Sequence, residues 1–236
     1  MVHLFAHRGG FDSGHPENTV EALAHALDLG ASLETDVRLS VDGVPVLVHD
    51  SYLLGEGLPL RRVRRTPAAR LRSLGVPSLR DLYDALGSEY ELSVDVKDDE
   101  AGAAAIAVAL EAGDVSRLWL VHDSLHVLQR LRRASAEVRL VHETRLADLE
   151  RRDTDPEAHM DALAAARVDA QNTHWSRWTP ALVEAAHGRG LQAFGSIAQL
   201  PHQMERALRL GLDGLYTDHV ADLLGVARRL GLEPTP

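Results

Sequence analysis

The chain has 236 residues, 45% of them hydrophobic, a formal net charge of −10 and no cysteine. That length suits one domain with a full core over residues 1–236, and the lack of cysteine excludes a disulfide scaffold and a thiolate metal site. The acidic balance argues against a nucleic-acid surface, the first residues lack the pattern of a signal peptide, and no apolar run reaches the ~20 residues that span a bilayer, so a cytoplasmic protein without stable membrane insertion is expected.

Short apolar runs alternate with longer segments of helical period, the pattern of βα units on a parallel sheet. Strands are predicted over 2–6, 32–38, 44–49, 92–96, 118–121, 138–142, 168–172, 191–195 and 214–217. Helices fall between them. The first runs over 20–29, with Asn18 or Thr19 as its cap and Gly30 as its stop, and the next over 79–86, between Ser78 and Gly87. Others cover 101–112, 125–133, 157–166 behind Asp155-Pro156, 181–187 behind Thr179-Pro180, 202–210 behind Pro201, and 220–230. Nine strands are one too many for an eight-stranded barrel. Asp42-Gly43 between apolar runs is a hairpin turn signal, so 44–49 returns antiparallel to the second strand and brings His49 close to Glu34. The expected fold is a single (β/α)8 barrel with an extra antiparallel hairpin strand after barrel strand 2.

Residues 52–77 are the least regular stretch and are expected to loop over the site. They contain Arg61-Arg62-Val63-Arg64-Arg65, either a solvated loop or a rim that attracts phosphate or a charged headgroup.

Barrel enzymes place their chemistry at the C-terminal ends of the strands. His7, Arg8, Glu34, Asp36, Asp95 and Lys97 all fall there. Glu34 and Asp36, two apart on a strand, point to one face, where they repel unless a cation or a proton intervenes. Oxygen-only ligation suits one divalent cation, Mg²⁺ or Ca²⁺, and Asp95 can supply a third oxygen. Lys97 shares a face with Asp95 and can pair with a carboxylate or a phosphate oxygen. Arg8 can hold a phosphate in bidentate fashion, and Gly9-Gly10 let the backbone turn close to a ligand. His7 and His49 converge on this cluster and read as general acid and base. Further polar candidates at the mouth are His122 with Asp123, His142 with Glu143, and Asn172 with His174. Trp175 and Trp178 could line an apolar wall.

The ordered series His7-Arg8-Gly9, Glu17-Asn18-Thr19, Glu34-x-Asp36, Asp42-Gly43 and His49-Asp50 resembles the glycerophosphodiester phosphodiesterase family. Val76-Pro77-Ser78-Leu79, Thr179 through Leu191 and Gly211 through Asp218 resemble its later units, so the likeness covers nearly the whole chain. It implies a TIM barrel, a divalent metal, and hydrolysis of a small glycerophosphodiester to sn-glycerol 3-phosphate and an alcohol. By matching motif positions it makes Glu34, Asp36 and Asp95 the metal ligands, His7 and His49 the acid/base pair, and Arg8 and Lys97 phosphate contacts. Glu17 and Asn18 would brace the first loop.

Two positions depart from the family pattern. Asp95 stands where the family has glutamate, as it does in the related spider-venom-type phospholipases D, although the Glu-Asn-Thr motif favours the phosphodiesterases. Phe194-Gly195-Ser196-Ile197 replaces a Trp-Thr-Val-Asn stretch, a wall expected to touch substrate. An alternative is a lysophospholipase D-like or phospholipase D-like enzyme on lipid diesters, to which Tyr52, Leu53, Leu54, Leu58 and Leu60 would lend an apolar surface. A non-catalytic phosphodiester-binding barrel is a further alternative, disfavoured by the presence of both histidines. Oligomeric state is not legible.

Overall fold

A computed structural model describes residues 2–53, 61–145, 149, 151 and 154–235. The strands are β1 (His3–Ala6), β2 (Ser32–Leu39), β3 (Pro45–Leu47), β4 (Tyr52–Leu53), β5 (Arg61–Arg62), β6 (Leu92–Val96), β7 (Leu118–His122), β8 (Arg139–Glu143), β9 (Ala170–His174), β10 (Gln192–Ser196) and β11 (Gly214–Thr217). Eight of them, β1, β2 and β6 to β11, are parallel and follow chain order around a ring, which closes because β1 pairs with both β2 and β11. The protein is therefore a TIM barrel.

The hairpin return is present. Val37 lies opposite Leu47 and Arg38 opposite Val46 in antiparallel register. It is shorter than the predicted 44–49, for two local reasons. Ser40 Oγ accepts from the Val44 amide (2.9 Å), so Val44 belongs to the turn. His49 lies past the strand, its carbonyl accepting from Arg38 Nε (2.8 Å). The stretch expected to be irregular contains more structure than its sequence suggested: β4 pairs with β5, and a short helix spans Ala68–Arg72. Leu54, Leu58 and Leu60, named for the lipid alternative, lie outside the described residues.

Helix ends follow the capping chemistry in the sequence. Thr19 accepts from the Ala22 amide ahead of Val20–Leu29, and Gly30 ends that helix in the left-handed region (φ 91°). Ser78 and Asp81 form a reciprocal capping box at Leu79–Leu86. Asp155 and Thr179 cap Pro156–Ala165 and Pro180–His187, each with proline in the first turn.

Strand alternation splits the apolar residues between two cores. Leu4, Leu33, Val94, Leu120, Leu140 and Leu215 face the helices, whereas Phe5, Trp119, Val141, Phe194 and Tyr216 fill the barrel. At the N-terminal end of the barrel Trp119 Nε1 donates to Glu91 (2.5 Å), Arg139 lies over the Trp119 ring, and His3 meets that ring edge-on. Burial, helped by Arg139, pushes the His3 imidazole down to about 4. The chain ends meet at this same end, where Val2 bridges Pro234.

Candidate active site

The loop after β1 is the tightest part of the mouth. A Cβ on Gly9 would come within 2.7 Å of the Ala22 Cβ, and one on Gly10 within 2.6 Å of Val220; both glycines have positive φ. Only glycine lets this loop drop between two helices, and the drop aims His7 and Arg8 inward. Arg8 and Asn18 also have positive φ, 54° and 58°. Non-glycine residues hold that backbone only where their surroundings over-determine it. For Asn18 the surroundings are clear. Its Nδ2 donates to Asp36 (3.0 Å), and its Oδ1 accepts from Thr35 Oγ1 (2.6 Å) and the Asp36 amide (3.0 Å).

His7, Arg8, Glu34, His49, Asp95, Lys97, Glu143 and Asn172 line one cavity of about 370 Å³. Six of the seven principal residues of the sequence reading are thus brought together. The seventh, Asp36, lies beneath them at 1% exposure. Its carboxylate takes Arg8 Nε (3.0 Å) and Lys97 Nζ (3.1 Å) in addition to Asn18. Lys97 Nζ also reaches Asp95 (2.5 Å), so the ammonium bridges two of the three expected ligands, which sit side by side in the β2–β6 register. Burial works against the Lys97 charge, but these two carboxylates hold its pKa above the ordinary lysine value.

Glu34 is the uncompensated member. One oxygen accepts from the Arg8 amide (2.8 Å), and the group is otherwise buried near Asp36 and Asp95. Burial and then those two carboxylates push its pKa well up, against the pull of His7. A buried carboxyl so poorly served, in a set made only of oxygens, fits a hard divalent cation. Among the described residues no three His, Asp or Glu side chains already converge as a ligand cage. Lys97 holds two of the carboxylates instead.

Each histidine is oriented by an aspartate. His7 Nδ1 pairs with Asp218 Oδ1 at 2.6 Å. Asp218 is itself held by Gln199, whose Nε2 donates to its carboxylate and whose Oε1 accepts from its amide. Burial opposes charge on His7, yet Glu34 and then Asp218 outweigh it and raise the pKa to about 9. His49 Nδ1 pairs with Asp50 (2.8 Å). With Nδ1 engaged, each ring leaves Nε2 for chemistry.

The secondary candidates divide. Glu17 takes Arg8 Nη1 (3.1 Å) and, with Asn18, braces the first loop. Glu143 and Asn172 reach the cavity, and the Asn172 Oδ1 is buried without a partner among the described residues. Burial, then Asp95, raises the Glu143 pKa. Phe194 is a correction: it is fully buried inside the barrel against Phe5, Trp119 and Tyr216. Strand alternation brings Ser196, two residues on, to the mouth instead, followed by Ile197. Trp175 is also corrected; it packs into the helix layer with Arg206 over its ring. His122 turns into its own loop, accepting from the Ser124 amide (2.8 Å), and is absent from the cavity wall. Not singled out in the sequence were Asp218, its support Gln199, and Tyr216, Ser196 and Arg145, which line the cavity. Thr217-Asp218 at the end of the last strand carried the signal for the first of these.

The comparisons agree with this architecture. Residues 7–92 match the model of the Glycerophosphoryl diester phosphodiesterase family. A Mycobacterium tuberculosis protein named "Probable glycerophosphodiester phosphodiesterase 2" is 30% identical over 239 residues, covering 93% of this chain and 88% of that protein. The chain belongs to the glycerophosphodiester phosphodiesterase family. A family structure from Silicibacter pomeroyi superposes with a TM-score of 0.88 at 24% identity, covering 100% of this chain and 96% of that one. A phosphodiesterase from Oleispira antarctica, solved in complex with the product sn-glycerol-3-phosphate, gives a TM-score of 0.80 at 20% identity and 96% coverage of both chains. Family membership also explains the order of the motifs, since the matched segment contains the loop after β1, the β2–β3 hairpin and the start of β6.

Proposed function

We propose that this family member hydrolyses glycerophosphodiesters to sn-glycerol 3-phosphate and an alcohol. The observation that carries the proposal is the placement of two aspartate-oriented histidines, His7 and His49, in one cavity with Arg8, Lys97, Glu34 and Asp95. The product named for the Oleispira protein supports the same substrate class.

Arg8 and Lys97 face the charge of the phosphodiester and of its more highly charged transition state. One histidine takes the proton of the attacking oxygen, which belongs to water or to a neighbouring substrate hydroxyl. The second histidine gives a proton to the leaving alkoxide as the phosphorus–oxygen bond breaks. Attack by the hydroxyl forms a cyclic phosphate first, which water then opens. Asp218 and Asp50 fix the ring tautomers through both steps. Glu34, Asp36 and Asp95 would hold a divalent cation, Mg²⁺ or Ca²⁺, which supplies Lewis-acid polarisation of a nonbridging phosphate oxygen when bound.

The test is release of glycerol 3-phosphate from a panel of glycerophosphodiesters with Mg²⁺, with Ca²⁺ and with chelator. Cation-dependent release is expected. Turnover that survives exhaustive chelation sinks the carboxylate assignment, and no release from any diester sinks the substrate class. Among the described residues no helix is long and apolar enough to cross a membrane.

A further inference from the structure

The arginine run of the sequence takes no part in the site above. It makes up β5 and the single turn Val63–Arg65, and Arg61, Arg62 and Arg65 gather with Tyr52 and Thr66 around a notch of about 360 Å³. Guanidinium groups crowded together repel one another unless anions neutralise them. Arg64 shows the ordinary arrangement, pairing with Glu100 at 3.1 Å. Arg61, Arg62 and Arg65 have no carboxylate partner among the described residues. Arg61 Nε is buried without an acceptor there. Arg62 lies over the Tyr52 ring at 6.0 Å, a contact that uses none of its N–H donors.

Tyr52 lines both the notch and a groove of about 430 Å³ walled by Leu47, Val48, Leu53 and Val76. His49 lines that groove and the catalytic cavity.

We propose that the arginine notch is a second oxyanion site, which takes a phosphate group other than the one being cleaved. The guanidinium forks of Arg61, Arg62 and Arg65, without a carboxylate partner among the described residues, match tetrahedral phosphate oxygens. The phosphate can come from solution or from the headgroup of an anionic lipid.

Inorganic phosphate is titrated calorimetrically into the full chain and into Arg62→Gln/Arg65→Gln, both exposed positions. Two phosphates per chain are expected for the parent and one for the variant, with turnover of a small soluble diester within twofold. Co-sedimentation with phosphatidylglycerol and phosphatidylcholine vesicles separates the sources. Retention on phosphatidylglycerol alone, lost in the variant, supports a lipid phosphate; two-site phosphate binding without retention supports the free anion. Arg65→Glu, a single exposed change, repeats both measurements on a protein whose unfolding temperature is checked first. Equal phosphate stoichiometry and equal vesicle retention in parent and variants overturn the site.

Discussion

His7 and His49 carry the chemistry proposed, so each alanine variant should lower kcat by ~10²–10⁴ at constant fold. A loss under fivefold at both positions rejects the pair. Asp218→Asn tests orientation separately. It keeps the shape but leaves one acceptor oxygen for two donors, His7 Nδ1 and Gln199 Nε2, and turns an NH2 toward one of them, so kcat should fall with little change in KM, and the ¹⁵N shifts of the His7 ring should report a changed tautomer. Unchanged ring shifts would show that Asp218 holds nothing. Phe194→Ala should act on stability, costing ~3–5 kcal/mol, while leaving KM near the parent value, because the ring is inside the barrel. A large KM effect with an intact unfolding temperature would restore the substrate wall read from the sequence. At this scale the sequence was informative where spacing sets direction: Glu34 and Asp36 share a face because strands alternate. It marked Asp218 only as a strand-end carboxylate and not as the partner of His7, 211 residues away, and it placed Lys97 beside Asp95 without showing that Asp36 shares it.

The elements of the mouth place these side chains to within a turn of helix or a pleat of strand. Gly9 is the most constrained, because its φ is positive and Ala22 leaves no room for a Cβ. Gly9→Ala should therefore cost at least ~1–3 kcal/mol and lower activity in the same variant, as measured by denaturant unfolding and by turnover. Full stability in that variant would mean the loop is not clamped as described. The β2–β3 return was legible because Asp42-Gly43 is turn chemistry and one antiparallel strand resolved a count of nine. The β4–β5 hairpin was not. Its strands are two residues each, too short to show alternation, and arginine is not a strand signal. Trp175 was placed wrongly for a related reason. A tryptophan in a loop after a strand can turn toward the cavity or toward the helices, and the sequence does not record which.

As a whole the molecule is an acidic barrel with buried histidines that stay neutral. Burial holds the His3 pKa at about 4 against an ordinary 6.5, and burial with His159 nearby holds His142 at about 4 as well. The unfolded chain takes up protons at these sites below pH 6.5, whereas the folded chain resists until about pH 4. The unfolded state then binds more protons, so the stability these two histidines contribute is full above pH 6.5 and falls as pH drops toward 4. Thermal unfolding across that window should show a steep acid limb for the parent and a shallower one for His3→Gln. Equal limbs would remove His3 from the account. A cation at Glu34 should stabilise the native state by ~2.7 kcal/mol at a hundred times its dissociation constant, read as a rise in unfolding temperature that chelator reverses. The barrel itself was readable from the alternation of apolar runs and helical segments, since that alternation is what a closed parallel sheet requires.

The ring closes late. β11 must dock beside β1 before Asp218 can reach His7, so the first and last strands together complete the His7–Asp218 pair. A nascent chain, or one clipped within its final strand, retains the carboxylates, Arg8 and Lys97 yet has no clamp for one histidine. The orientation of His7 therefore depends on a residue from the far end of the ring.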